Sequence, residues 1–112
     1  MRESREGDVL VVTWEGDALD AYAAPELRSH VGARIEDGWR YVVLDLSEVR
    51  FLDSTGLGVL VHLHKRMGQN GRLVLCGVGE LVMDVFRLTR MDRALAIRGT
   101  AEEAVTACRP AA

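Results

Sequence analysis

Long apolar runs are missing from this sequence. No stretch approaches the ~20 residues that span a bilayer, so no membrane partner is expected. The opening "MRESREGD" is polar and charged, which is the wrong composition for a secretory signal peptide. With neither feature, the cytoplasm is the expected location. Cysteine is scarce: Cys76 and Cys108 are the only two. They lie far apart in apolar contexts and read as two reduced, buried thiols. Proline is equally scarce, at two residues, and no Pro/Ser-rich linker, low-complexity tract or internal repeat interrupts the chain. Basic runs are absent too. Lys and Arg are scattered over a chain of net charge −3, without the clustered basic face that nucleic acid requires, so no direct nucleic-acid contact is expected. What is present is 112 residues, 48% of them apolar. That is enough for one compact domain over residues 1–112 with a real core.

Strand-like and helix-like segments alternate. "DVLVVTWEG", residues 8–16, is rich in β-branched residues and reads as a strand. "RESRE" before it is a candidate edge strand, turned through Gly7-Asp8. "PELRSHVGARIEDG", residues 25–38, reads as a helix with Pro25 at its first position and Leu27, Val31 and Ile35 on one face. Gly38 stands where a left-handed cap would end it. "YVVLDLS", residues 41–47, is nearly all apolar through Leu46, as a strand covered on both faces should be. A helix is expected over residues 54–69, broken by Gly71, then a strand in "RLVLCG". "ELVMDVFRLTR" reads as a short helix with Leu81, Val85 and Leu88 on one side, and "ALAIRG" as a last strand. Thr100 and Glu103 form the T-x-x-E pattern of a capping box, opening a final helix with Ala104, Val105 and Cys108 inward. Strands joined through helices predict an α/β fold with a small, mixed, mainly parallel sheet and right-handed crossovers. The chain is too short to cover both sheet faces with long helices.

Several chemistries are excluded by spacing. Ser54 and His62 are eight positions apart, about 12 Å along a helix, too far for a nucleophile and its base. The strained G-x-S-x-G elbow of serine hydrolases is absent. His62 and His64 are two apart and point to nearly opposite sides of a helix, whereas zinc helices place histidines at i and i+4. His64 belongs with the apolar face and His62 with the solvated one. "CGVGELV", residues 76–82, has Val82 where a dinucleotide fingerprint needs a third glycine, and no phosphate-binding P-loop exists. No catalytic residue, metal site or cofactor is therefore expected.

One stretch remains over-supplied. In "RFLDSTGLGVLVHLHKRM", residues 50–67, Asp53, Ser54 and Thr55 stand together at a strand-to-helix junction. A helix cap needs only one of them and is worth roughly 1 kcal/mol. Gly56 and Gly58 fall in the first turns of the helix, where each costs on the order of 0.5–1 kcal/mol relative to alanine. That cost predicts close access to the backbone there. A helix N-terminus also favours an anion. A phosphate on Ser54 would bring about −1.5 to −2 charges beside Asp53, enough to repel an acidic or apolar partner without unfolding the domain.

With those residues in view, "VVLDLSEVRFLDSTGLGVLV", residues 42–61, resembles the signature of the STAS domain, and of bacterial anti-sigma factor antagonists in particular. The core D-S-[ST]-G-L-G is carried in full. "LDAYAAPELR", residues 19–28, and "GRLVLCGV…VFRLTRMD", residues 71–92, extend the resemblance over essentially the whole chain. It implies a small sheet with helices packed mostly on one side and no enzymatic activity. It implies that the unphosphorylated protein binds an anti-sigma factor serine kinase and so frees the sigma factor. It further implies that this kinase phosphorylates Ser54, and that a PP2C-type phosphatase reverses the mark. Ser54 is then the phosphoacceptor and Thr55 its neighbour. Asp20 matches the aspartate of the family's "LD" turn, and Asp53 the one before the acceptor. Asp20, Asp53, Ser54, Thr55, Gly56 and Gly58 form the expected partner surface. "GDALD", residues 16–20, carries one residue more than the family's usual first turn, which lengthens a loop of that surface. The same motif would serve a STAS module with a non-sigma output, such as control of a cyclase or phosphatase. A small-ligand-binding or enzymatic protein on this scaffold is the third possibility.

Overall fold

The computed structural model describes residues 1–109. The N-terminal hairpin is real. Strand β1 (Arg2–Glu6) runs antiparallel to β2 (Val9–Thr13), with Glu6 opposite Val9 across the Gly7-Asp8 turn. Next come a two-residue strand β3 (Ala18–Leu19) and helix α1 (Ala24–Glu36), then β4 (Tyr41–Asp45), a second two-residue strand β5 (Phe51–Leu52) and helix α2 (Ser54–Met67). β6 (Arg72–Cys76), α3 (Glu80–Leu88), a helical turn α4 (Met91–Ala94), β7 (Ala96–Arg98) and α5 (Ala101–Cys108) complete the order.

Five strands form one sheet in the order β1-β2-β4-β6-β7, antiparallel only at β1. The expected mixed, mainly parallel sheet is therefore present. Its parallel register stacks Leu10, Val42 and Leu73, and one pleat further on Val12, Leu44 and Leu75. Those residues share one core with Leu27 and Val31 of α1, Leu60 and Leu63 of α2, and Val82 and Phe86 of α3. The alternating residues Val9, Val11, Val43, Val74 and Cys76 point to the other face, which Ala104 and Cys108 of α5 cover. Continuous apolar runs in β2, β4 and β6 follow from this arrangement, because both faces are covered. Helices do pack mostly on one side. The second face receives a single helix of eight residues.

α1 begins at Ala24, one residue before the expected start, so Pro25 occupies its second position. It ends as expected. Gly38 has φ +104°, its N–H meets Ile35 O, and Trp39 N–H reaches back to Arg34 O, the paired bonds of a Schellman motif. Thr100 Oγ1 accepts from Glu103 N–H at 3.1 Å, as the capping pattern predicts. The hydroxyl then donates to the Glu103 carboxylate at 3.0 Å, which holds that side chain at the helix mouth.

Helix α3 departs from expectation. Leu81 and Leu88 are 67% and 86% exposed, and Val82 and Phe86 carry the buried face instead. Six of its nine residues are apolar, so two faces compete on periodicity alone, and tertiary packing chooses the one holding the larger Phe86. The helix stops at Leu88, Arg90 turns with φ +61°, and α4 separates it from β7. α2 ends at Met67 and passes into a single tight turn over Gly68–Asn70, two residues short of the expected end. His62 is half-buried, like His64, and not fully solvated as expected.

Candidate functional site

The expected site residues converge through the smallest elements of the fold. β3 and β5 form a separate parallel pair, with Ala18 opposite Phe51 and Leu19 opposite Leu52. The next residue of each strand is an aspartate. Asp20 and Asp53 therefore leave the ladder side by side, although 33 positions separate them. Two-residue strands offer no alternation to read, so this pairing was not legible beforehand. The lengthened "GDALD" loop is held against the same pair: Asp17 O accepts from Arg50 N–H at 2.7 Å and Phe51 N–H at 2.9 Å.

Each aspartate organises the start of a helix. Asp20 Oδ1 accepts from Tyr22 N–H at 3.1 Å and Ala23 N–H at 3.0 Å, while its carbonyl accepts from Ala24 N–H at 2.8 Å. This is the local side-chain turn that aspartate favours ahead of a helix. Asp53, in extended conformation, is the N-cap of α2. Its Oδ1 accepts from Gly56 N–H at 2.9 Å, and its Oδ2 accepts from Ala21 N–H at 3.0 Å. One carboxylate thus caps α2 and clamps the turn that leads into α1.

The capping bond comes from Asp53, so the Ser54 hydroxyl is not used as a cap. Ser54 and Thr55 occupy the first two helical positions and both are exposed. Of the four backbone N–H groups orphaned at a helix start, Asp53 N–H meets Leu19 O at 3.4 Å and Gly56 N–H meets Asp53 Oδ1. Among the described residues, those of Ser54 and Thr55 remain without a protein acceptor. An exposed hydroxyl thus stands over two unbonded N–H groups at the positive end of a helix of fourteen residues.

The two glycines divide. Gly56 is buried, and a methyl group there would lie 2.1 Å from Leu19 O and 2.9 Å from Leu52 Cδ1. It is glycine so that α2 can abut β3, not to open the helix mouth, which corrects the expectation of backbone access at that residue. Gly58 is exposed, and a methyl group there would have nothing within 4 Å, so access is physically open.

Sequence reasoning missed the apolar side chains nearby. Tyr22, in the turn clamped by Asp53, is 96% exposed, and Phe51, two residues before Asp53, is 56% exposed. α3, which bears the exposed Leu81 and Leu88, packs against β5. Four large apolar residues left in water on three neighbouring elements are the kind of surface that marks a protein contact. Tyr22 and Phe51 carried no periodic signal, being in a turn and a two-residue strand.

Comparison with known proteins places the fold. The STAS domain profile matches residues 3–104. The "Anti-sigma-B factor antagonist" of Staphylococcus aureus is 36% identical over 75 residues, which cover 66% of this chain and 69% of that protein. The crystal structure of an anti-sigma factor antagonist from Mycobacterium paratuberculosis superposes with a TM-score of 0.88 at 29% identity, covering 97% of this chain and 92% of that one. An anti-sigma-factor antagonist (STAS) domain protein from Planctomyces limnophilus gives 0.85 at 25% identity, covering 96% of each chain. Profile, relatives and fold agree: the chain belongs to the STAS domain family.

Proposed function

We propose that this protein is an anti-sigma factor antagonist that works by partner switching. Unphosphorylated, it binds an anti-sigma factor serine kinase and so releases the sigma factor. Phosphate on Ser54 abolishes that binding, and a PP2C-type phosphatase restores it. The protein acts by binding and not as a catalyst, in the cytoplasm, with residues 1–112 as one STAS domain. Among the described residues no helix is long and apolar enough to cross a membrane.

The observation that carries this reading is the division of labour at the head of α2. Asp53 does the capping, which leaves the Ser54 hydroxyl exposed and uncommitted. A phosphate there would gain the free N–H groups and the helix dipole, a favourable interaction of about 0.3–1 kcal/mol at an exposed site. The domain can hold the charge without unfolding. A partner seated over Tyr22, Asp53 and Ser54 would face about two new negative charges beside an existing carboxylate.

The test is incubation with the cognate kinase and ATP, followed by mass spectrometry. Phosphate is expected on Ser54, and phosphate elsewhere with Ser54 unmodified would sink the proposal. Ser54→Ala is expected to keep its affinity for the kinase in the presence of ATP. Ser54→Asp is expected to bind roughly tenfold or more weakly, the size of a like-charge contact of about 1.4 kcal/mol. Equal affinities would remove the charge mechanism.

A further inference from the structure

β1 is an outer strand of the sheet: one edge pairs with β2, and the other meets no strand among the described residues. All five of its residues, Arg2–Glu6, are exposed. The hairpin fixes which main-chain groups face outward. Gly7 takes φ +62° and Asp8 keeps a negative φ, the pattern of a two-residue type II′ turn. The residues flanking such a turn, here Glu6 and Val9, form a hydrogen-bonded pair, and bonded pairs alternate along an antiparallel ladder. Ser4 with Val11 and Arg2 with Thr13 are therefore bonded pairs as well. The N–H and C=O groups of Glu3 and Arg5 point the other way, out from the sheet edge.

The ordinary explanation for charges on an edge strand is protection, since they keep copies of a protein from joining edge to edge. The order of charges in "RESRE", residues 2–6, does the reverse in one register. Laid antiparallel on a second copy with Ser4 opposite Ser4, the strand sets Arg2 against Glu6 and Glu3 against Arg5, each twice, with no like pair. The same register brings the outward groups of Glu3 onto those of Arg5, as a bonded ladder requires. A shift of two residues puts Glu3 against Glu3 or Arg5 against Arg5. A slip of one residue puts Arg2 against Arg5 or Glu3 against Glu6, and it also breaks the bonding pattern. Charge and hydrogen bonding thus select the same pairing and reject its neighbours. The side chains are available for it. Arg5 and Glu6 have no opposite charge within 4 Å among the described residues, and Arg5 lies over the Trp39 ring at 5.2 Å. Arg2, 64% exposed, reaches Glu48 at 3.3 Å and Glu15 at 3.8 Å, surface contacts that are worth little. Arg34 of α1 holds the Glu3 carboxylate at 3.0 Å on one face of the strand. On the other face, a groove of about 250 Å³ beside Ser4 and Glu6, bounded by Glu102 of α5, leaves room for an incoming arginine.

We propose that two copies of this chain pair antiparallel through β1, about a two-fold axis at Ser4, and join their sheets into one of ten strands, five from each copy. The contact consists of main-chain hydrogen bonds between Glu3 and Arg5 and of the opposite-charge pairs around them. A five-residue edge buries less than the ~1,200 Å² of a stable complex, so the dimer is weak and reversible, half formed on the order of 100 µM. β1 holds none of the residues around Ser54, and the pairing stands independently of the partner-switching reading.

The test is analytical sedimentation of the full chain from about 5 µM to about 1 mM, a range that brackets this affinity, joined to amide hydrogen exchange on the isotope-labelled chain. The mass is expected to rise toward that of a dimer with concentration, and less so in high salt. Within β1, the amides of Glu3 and Arg5 are expected to slow most as the dimer fills. Glu6→Arg sets arginine against Arg2 twice and is expected to raise the dissociation constant about tenfold or more. Arg2→Glu is expected to do the same with glutamates. Mixed together, these two variants regain opposite charges at both ends and should associate at least about tenfold more tightly than either alone. The exchange measurement needs no variant and decides the matter if one folds poorly. A monomer at every concentration, slowed exchange at Tyr22, Phe51 or α3 in place of β1, full association by Glu6→Arg, or a mixture no tighter than its parts would overturn the pairing. The kinase assay on Ser54 reads a separate event, so either reading can fail without the other.

Discussion

A methyl group added to Gly56 would meet a backbone carbonyl at 2.1 Å, and one added to Gly58 would meet nothing within 4 Å. Both residues are otherwise glycines in the first turns of α2 that alanine should improve. Gly56→Ala is expected to lower stability by roughly 1–3 kcal/mol, the cost of overpacking against a main chain that cannot step aside. Gly58→Ala is expected to raise it by about 0.5–1 kcal/mol. Urea midpoints of the two variants check both signs, and a stabilised Gly56→Ala would contradict the packing described. If Gly58 serves partner access, its alanine variant will bind the kinase more weakly while melting higher. Asp53→Ala loses the cap and the clamp on Ala21 together, an expected loss of about 1–2 kcal/mol by thermal melting. The surplus of Asp53, Ser54 and Thr55 over a simple cap was legible from residue types alone. The role of Asp53 was not, because the carboxylate and the hydroxyl compete for the same bond and only geometry decides between them.

Among the elements, α3 separates stability from binding most clearly. Phe86→Ala removes a fully buried ring from the main core and should cost roughly 3–5 kcal/mol. Leu88→Ser, at an 86% exposed position, should change stability by less than about 0.5 kcal/mol. Tyr22→Ala, at 96% exposure, should likewise leave the melting temperature in place. If Tyr22 belongs to the partner face, its loss should still weaken kinase binding by about fivefold or more, readable by calorimetry. The long elements were legible from period and caps: α1 from Leu27 and Val31 with Gly38 at its end, and α5 from Thr100 and Glu103. β3 and β5 were not, since two residues carry no period. Nor was the inward face of α3, because Leu81, Val85 and Leu88 form as regular a stripe as Val82 and Phe86.

At the scale of the whole molecule, the sheet divides the apolar interior in two, and both thiols lie in the part covered by α5. Burial, with a smaller push from the Asp45 carboxylate, raises the Cys76 thiol to about 12 from an ordinary value near 9. Burial raises Cys108 to about 11, opposed by Arg72 and assisted by Asp8. The unfolded chain gives up these protons from about pH 9, and the folded chain holds them until about pH 11 to 12. The contribution to stability is therefore complete below pH 9 and is lost as pH rises through the folded values. Urea midpoints should fall between about pH 9 and 11, less steeply in a Cys76→Ala, Cys108→Ala variant. A thiol reagent at pH 8 should react only as fast as the chain unfolds.

The Asp53 carboxylate, bonded at once to Gly56 and Ala21, makes the region around Ser54 discontinuous in sequence. A synthetic peptide of residues 50–67 would carry the proposed acceptor, Ser54, yet lack Asp20, Tyr22 and everything that orients them. If Ser54 is the acceptor, its recognition depends on a shape that only the assembled sheet presents, and an unfolded or newly made chain escapes marking until its two halves have met.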